Sequence, residues 1–500
     1  MKQVVLIMTD TQRKDMLGCY NKEKEMHTPN LDKLASQGLR YDRAYTCQPV
    51  CGPARSSIFT GTFPHTNGML GNSMALNQQT KTIGQRLSLK GIKTAYVGKW
   101  HLDGGDYFGN GVCPDGWDPE YWYDMRNYLD EMSESDRFIS RQFETALNEE
   151  IPEEFTYAHK CSNRAIDFIK ENKDNDFMLV VSYDEPHHPF LAPGKYYDRF
   201  RGIPHSNSGN IHDTLEDKPE HIKVWHEGEG GFDYSGYGLI GCNSFVDGEI
   251  GRVIDAVQDY ADKSFIIYTS DHGSALGAHG INGKGPSVFE EITNIPLIYK
   301  WKDNIEPGTE SSNPASHIDI VPTVLEYFGF PQPEALEGKS VLKEITGEKD
   351  RTNEYVFMEF TRYEIDHDGF GGYQPLRAIT DGRYKLAINL LSTDELYDTL
   401  EDPGELNNLV NEKSHSDIRD RMHDALLNWM NDTRDPFRGY YWERRPWRTD
   451  ARPATWDYTG MTRQRATEPG EIEQLDYMTG LPYKKRVRKK GVFETDKKST

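Results

Sequence analysis

Val4-Val5-Leu6-Ile7-Met8-Thr9-Asp10 is a continuous apolar run that ends in a hydroxyl and a carboxylate. The apolar residues do not alternate with polar ones, so a strand built from them needs cover on both faces. The same figure recurs along the chain. Residues 93–97 precede Lys99 and His101, 177–183 precede Glu185, His187 and His188, and 264–269 precede Asp271 and His272. Residues 295–299 form a further apolar strand. Helical patterns lie between them at 31–37 (Asn30 as N-cap, Gly38 as stop), 80–90, 157–172 and 242–260. Short buried strands separated by helices define an α/β fold, a large mostly parallel sheet sandwiched by helices. In such sheets ligands bind beyond the carboxyl ends of the strands, where these polar clusters fall.

The pattern changes near residue 350. Strands are expected at 355–360, 376–380 and 384–390, the last two joined by the hairpin signal Asp381-Gly382-Arg383, with an amphipathic helix at 417–430. The expected organisation is a large α/β domain at 1–350, a smaller C-terminal α+β domain with an antiparallel sheet and helix at 351–432, and an extended arm at 433–500. The arm carries six basic residues between Lys484 and Lys490.

Among 500 residues, 80 are Asp or Glu and 58 Lys or Arg, a net charge of -22. That charge argues against nucleic acid and anionic membrane as partners. No apolar run approaches the ~20 residues of a membrane span. MKQVVLIMTDTQ lacks the longer apolar region and cleavage site of a signal peptide, so the chain as written is expected in the cytoplasm, or in the periplasm if a leader was trimmed. Six sparse cysteines form no disulfide framework, and Cys47 with Cys51 lacks a second pair for zinc.

The strand-end residues make coherent chemistry. Asp10 and Asp271 are hard oxygen ligands for Ca²⁺ or Mg²⁺. Arg55, Lys99 and Lys284 suit an oxyanion. His101 and His187 can move protons near neutral pH. The glycines around Lys284 do not have phosphate-loop spacing. Cys51-Gly52-Pro53-Ala54-Arg55, continuing to Thr60-Gly61, reads as a short helix from Pro53 to Thr60 that ends at Gly61. Cys51 then sits at a helix N-terminus, either as a nucleophile of lowered pKa or as a buried thiol in a tight turn.

C-x-P-x-R followed by T-G resembles the signature of type I, formylglycine-dependent sulfatases of the alkaline phosphatase superfamily. TDTQ, GKWH at 98–101, EPHHPF at 185–190, SDHG at 270–273, ELYD at 395–398 and DPGELNNL at 402–409 are similar to sulfatase motifs in family order, over residues 1–432. The resemblance implies that a formylglycine-generating enzyme converts Cys51 to formylglycine, whose hydrate attacks sulfur. It implies that Asp10, converted Cys51, Asp271 and His272 hold Ca²⁺, with Mg²⁺ as the alternative. Arg55 and Lys99 would steady the formylglycine and sulfate, and His101 would accept a proton to expel sulfate. His187 and Lys284 would bind sulfate and protonate the leaving oxygen. Many relatives carry a second Asp after the first. Here Thr11 and then Gln12 follow Asp10, so an oxygen of either is a candidate replacement ligand.

The expected substrate is a small sulfated sugar from glycosaminoglycan or mucin-type glycans. The alternatives are a sulfamate, a small alkyl sulfate, and a phosphodiester or phosphonate monoester. An unmodified glycan-binding protein is the non-enzymatic reading. Arg362 and His367, in the polar-aromatic segment with Tyr363 and Tyr373, are expected to hold the sugar. The acidic surface would repel long sulfated polymers, and composition leaves the oligomeric state open.

Overall fold

The computed structural model describes residues 1–21, 26–104, 107–142, 151–201, 209–228, 237–364 and 372–451. Seven strands form the larger sheet: β1 (Gln3–Thr9), β2 (Leu39–Tyr45), β3 (Lys93–Gly98), β4 (Phe177–Ser182), β5 (Phe265–Ser270), β6 (Leu297–Trp301) and β7 (Thr309–Ser316). Their order is β3-β4-β1-β5-β6-β2-β7, and every neighbouring pair is parallel except the two that involve β6. The α/β expectation therefore holds.

The non-alternating run of β1 has the expected cause. Val5 and Ile7 join a core with Val181, Phe168 and Phe245 on one face. Val4, Leu6 and Met8 join Ile58, Phe59 and Val324 on the other. The long helices Tyr157–Asn172 and Tyr237–Tyr260 cover the first face.

Several expectations shift. The first helix is Pro29–Ser36, not 31–37, because Pro29 pre-sets the first turn. Asn30 is thus inside the helix rather than its cap, and its side chain donates to Asp247 at 2.9 Å. The helix expected at 80–90 shortens to Ile83–Ser88, capped by the reciprocal Thr82–Gln85 bonds. β2 and β7 carried no readable strand signal. β7 is an edge strand paired only to β2, and its outer half, Thr309–Asn313, is polar and solvent-facing.

The second sheet is antiparallel, in the order β11-β10-β9-β8: β8 (Val356–Arg362), β9 (Tyr373–Thr380), β10 (Tyr384–Asn389) and β11 (Glu395–Asp398). Gly382 takes φ 95° in the β9–β10 turn, as the Asp-Gly signal requires. The helix Ser416–Asp432 buries Met422, Leu426 and Met430 against Ile379, Leu386 and Ile388. Residues 433–451 pack on the same layer. Asp435 pairs with the fully buried Arg377 at 2.6 Å, and Trp442 is buried. The basic run 484–490 lies outside the described residues.

The parallel register places the strand ends level. Gly98 and Met8 both pair with Ser182, and Thr9 pairs with Ser270. Gly98 (φ 119°) allows the closest approach, since a Cβ there would stand 1.9 Å from the Ser182 carbonyl. Gly98→Ala is expected to cost more than the ~1–3 kcal/mol of ordinary overpacking. Thermal unfolding should show a lowered midpoint, together with lost activity through displacement of Lys99.

His423 is buried and donates from Nε2 to the Trp442 carbonyl at 2.8 Å, and burial holds its pKa down to about 4. An unfolded histidine titrates near ~6.5. The stabilisation of the docked 433–451 segment is therefore complete above that pH and is lost as pH falls through about 4. Limited proteolysis of this segment should rise over that window, and less steeply in His423→Gln.

Candidate active site

The signature helix runs from Cys51 to Thr60 and is buried along its whole length. It begins two residues before the expected Pro53, which still lies in the first turn, where a missing N–H costs nothing. Gly61 ends it in a left-handed conformation (φ 69°), as expected. Gly52 N–H donates to Asn72 Oδ1 at 2.9 Å, and Asn72 Nδ2 donates to Glu364 just beyond β8. The smaller sheet thereby braces the helix start.

Arg55, one turn on, points back along the helix with no solvent exposure. Its guanidinium donates to Asp271 Oδ2 (3.2 Å), Asp10 Oδ2 (3.0 Å), the Lys99 carbonyl (2.7 Å) and Ser182 Oγ (2.7 Å). One side chain thus joins the ends of β1, β3, β4 and β5. Lys99 Nζ sits 2.9 Å from Asp10 and 3.0 Å from Asp184. Despite burial, the charges of Lys99, Lys284 and Arg55 hold Asp10 well below the usual carboxylate range.

Cys51 Sγ lies 3.0 Å from Lys284 Nζ, 3.2 Å from His272 Nε2 and 3.6 Å from Asp10 Oδ1. Burial and Asp10 push its thiol up, but Lys284, Lys99 and His272 outweigh them and bring it down to about 7. Of the two readings of Cys51 left open above, the low-pKa thiol fits this environment. The other five cysteines are free, and burial raises each of their thiols.

Asp10, Cys51, Asp271 and His272 present ligand atoms within 4.8 Å of one another. His272 Nδ1 is held by the Gly273 carbonyl at 2.8 Å, which turns Nε2 toward Cys51 Sγ and the ligand cluster. Burial and the neighbouring Asp10 push Asp271 up to about 7. A divalent ion between the two carboxylates would relieve that repulsion, so the donor set fits a hard cation. Thr11 (φ 64°) stands at the edge of the cluster, its hydroxyl donating to Asp10 Oδ1 at 2.7 Å. Gln12 does not join. Its carbonyl oxygen accepts from Tyr268, and its amide donates to Asn243 at 2.6 Å, inside the core. The left-handed backbone at Thr11 turns the chain, so Gln12 leaves the cluster for the core.

His101 is buried beside the cations, and its Nδ1 has no hydrogen-bond partner among the described residues. Burial, Lys99 and Arg55 lower its pKa to about 3, so it is neutral at pH 7. His187 is half-buried, with Nδ1 2.9 Å from the Tyr107 hydroxyl. Burial, Lys99 and Lys284 lower it to about 3 as well.

Glu185, grouped above with the strand-end residues, faces the other way. It accepts from the Ala158 N–H that opens the helix Tyr157–Asn172. The neighbouring Asp184 takes the place at Lys99. Asp184, Tyr107 and Asn72 were not singled out from sequence. Asp184 had a usable signal, since it is two residues beyond the end of β4, as Lys99 is one beyond β3. Arg362 stacks over the Tyr373 ring at 5.7 Å. Tyr363 is the member of that segment whose hydroxyl feels the charges of Lys284, Cys51 and Asp10. His367 lies outside the described residues.

A family model described as Sulfatase matches residues 2–330, and one described as N-sulphoglucosamine sulphohydrolase, C-terminal, matches 277–432. The chain belongs to the sulfatase family, within the alkaline phosphatase superfamily, and is an enzyme acting on sulfate esters. It is 42% identical over 493 residues to the uncharacterized sulfatase YidJ of Escherichia coli (strain K12), covering 96% of each chain. Its fold is similar to that of BT4656, solved with its substrate D-glucosamine-2-N,6-O-disulfate (TM-score 0.71, 20% identity, 87% of this chain and 98% of that one). It is also similar to the phosphonate monoester hydrolase SpPMH from Silicibacter pomeroyi (TM-score 0.70, 21% identity, 87% and 96%). No described helix is long and apolar enough to cross a membrane.

A divalent cation supplied to chelator-treated protein at about 100 times its Kd is expected to raise stability by ~2.7 kcal/mol. Thermal unfolding with and without the ion measures this, and Asp271→Asn should lose most of the shift.

Proposed function

We propose that the chain removes sulfate from a small sulfated sugar of glycosaminoglycan or mucin-type origin, using formylglycine made from Cys51 and a divalent cation, Ca²⁺ before Mg²⁺. The observation that carries this reading is the focus of Asp10, Asp271, His272, Lys284 and Lys99 on residue 51 at the start of a buried helix. Asp10, residue 51, Asp271 and His272 would hold the ion. Hydrated formylglycine supplies the attacking oxygen, and the cation supplies charge that stabilises the developing anion.

The remaining work belongs to this chain's side chains. Lys99 and Lys284 are positioned to hold sulfate oxygens as charge builds. Arg55 gives most of its N–H donors to protein partners and acts by orienting Asp10 and Asp271. His101, neutral at pH 7, is suited to accept a proton. His187 is suited to deliver one to the leaving oxygen once a bound sulfate offsets the nearby lysines. Arg362 and Tyr363 border the sugar side, and a formylglycine-generating enzyme is the maturation partner.

Two alternative substrates have specific support. The C-terminal match to an N-sulphoglucosamine sulphohydrolase model favours a sulfamate, and the likeness to SpPMH favours a phosphonate monoester. Parallel assays of O-sulfated, N-sulfated and phosphonate esters separate the three. Preferred O-desulfation is expected, and a large preference for either competitor would replace the reading.

The peptide carrying residue 51 should have the mass of an aldehyde in active protein. Active protein with only free thiol there would refute the mechanism. Cys51→Ala should abolish turnover, and His101→Ala should lower kcat by ~10²–10⁴-fold with metal retained.

A further inference from the structure

Tyr107 lies at the centre of four site residues that the proposed reaction uses or pairs. Its hydroxyl bonds to Asp184 Oδ1 and stands 2.9 Å from His187 Nδ1. Lys99 Nζ rests 3.8 Å over its ring, and its edge meets the His101 ring at 5.5 Å. A phenol has one hydrogen to give. Asp184 is held as a carboxylate by Lys99 at 3.0 Å, so it only accepts, and the phenolic hydrogen goes to it. The Tyr107 oxygen must then accept from His187. The His188 carbonyl, 2.8 Å from the same Nδ1, also only accepts. Two acceptors at one nitrogen require the hydrogen on Nδ1.

We propose that Tyr107 is a positioning residue for the leaving-group proton. Bonded between Asp184 and His187, it shares the Nδ1 hydrogen with the His188 carbonyl, couples that nitrogen to the Asp184 carboxylate, and leaves Nε2 as the one ring nitrogen that exchanges protons with substrate. This rests on the reading that His187 serves the leaving oxygen. As the ester S–O bond breaks, its electron pair stays on the leaving oxygen, and the sulfuryl group passes to the attacking oxygen, which gives up its proton to solvent. The Nε2 proton of the imidazolium moves to the leaving oxygen, and neutral imidazole remains with hydrogen on Nδ1. Solvent later restores the Nε2 proton. The Asp184 carboxylate, reached through the phenol, favours the imidazolium while substrate is bound.

The test compares a sulfated sugar, whose alkoxide leaves poorly without a proton, with 4-nitrophenyl sulfate, whose phenolate leaves without one. Both are assayed on metal-loaded protein of measured formylglycine content. Tyr107→Phe removes the hydroxyl and keeps the ring over Lys99. It is expected to lower kcat on the sugar by about tenfold to a hundredfold. A much smaller loss is expected on the aryl ester, with KM for both near the parent value. Equal losses on both esters, or none on either, overturn the proposal. His187→Gln separates this from the underlying reading: if it slows both esters equally, His187 is not the donor. In the His187→Gln background, Tyr107→Phe should add no further selectivity. Undiminished selectivity there would show that Tyr107 acts on substrate directly and would overturn the relay.

Discussion

The site depends on one buried guanidinium. Arg55 has no exposed atoms, and its donors go to two carboxylates, a backbone carbonyl and a serine hydroxyl that belong to four different strand ends. Burying such a charge is costly unless every donor is used, and removing one partner of such a set costs more than the set contributes. The rigid fork also imposes geometry that a lysine could not. It sets the spacing between Asp10 and Asp271, and hence the place where a cation fits. Because Arg55 is one helical turn from Cys51, the same group holds the reacting residue in register with the sheet.

Around that anchor the charges nearly cancel. Arg55, Lys99 and Lys284 face Asp10, Asp184 and Asp271. A divalent ion would tip the balance to positive, as an anionic substrate needs. The overall charge of -22 says nothing of this pocket, since each cation is spoken for within a few ångströms. It bears instead on what approaches from outside. Thr11 in place of a second acid removes one negative charge. Its hydroxyl orients Asp10 instead, and it accepts a bond from Lys284 at 3.4 Å.

Where residue order and geometry part company, the cause is local backbone direction. Glu185 and Gln12 are next to groups at the site, yet both side chains turn into the protein: Glu185 leaves opposite to Asp184, and the left-handed backbone of Thr11 (φ 64°) redirects the chain before Gln12. Tyr107 and Asn72 come from connections whose sequence has no periodicity to read. Their roles follow from what they touch: Asp184 and His187 for one, Gly52 and Glu364 for the other.

The amino-acid sequence alone determined the α/β class, the antiparallel C-terminal sheet and the identity of the central residues. Apolar runs of strand length, their polar terminators and the Cys51–Gly61 signature are all local properties, and local properties survive in one dimension. Tertiary structure decided that β6 runs against its neighbours, that β2 and β7 complete the sheet, that Asp184 rather than Glu185 meets Lys99, and that Arg55 braces ligands. These depend on register and on which face a side chain leaves. Long-range strand pairing settles both, and no single segment encodes it.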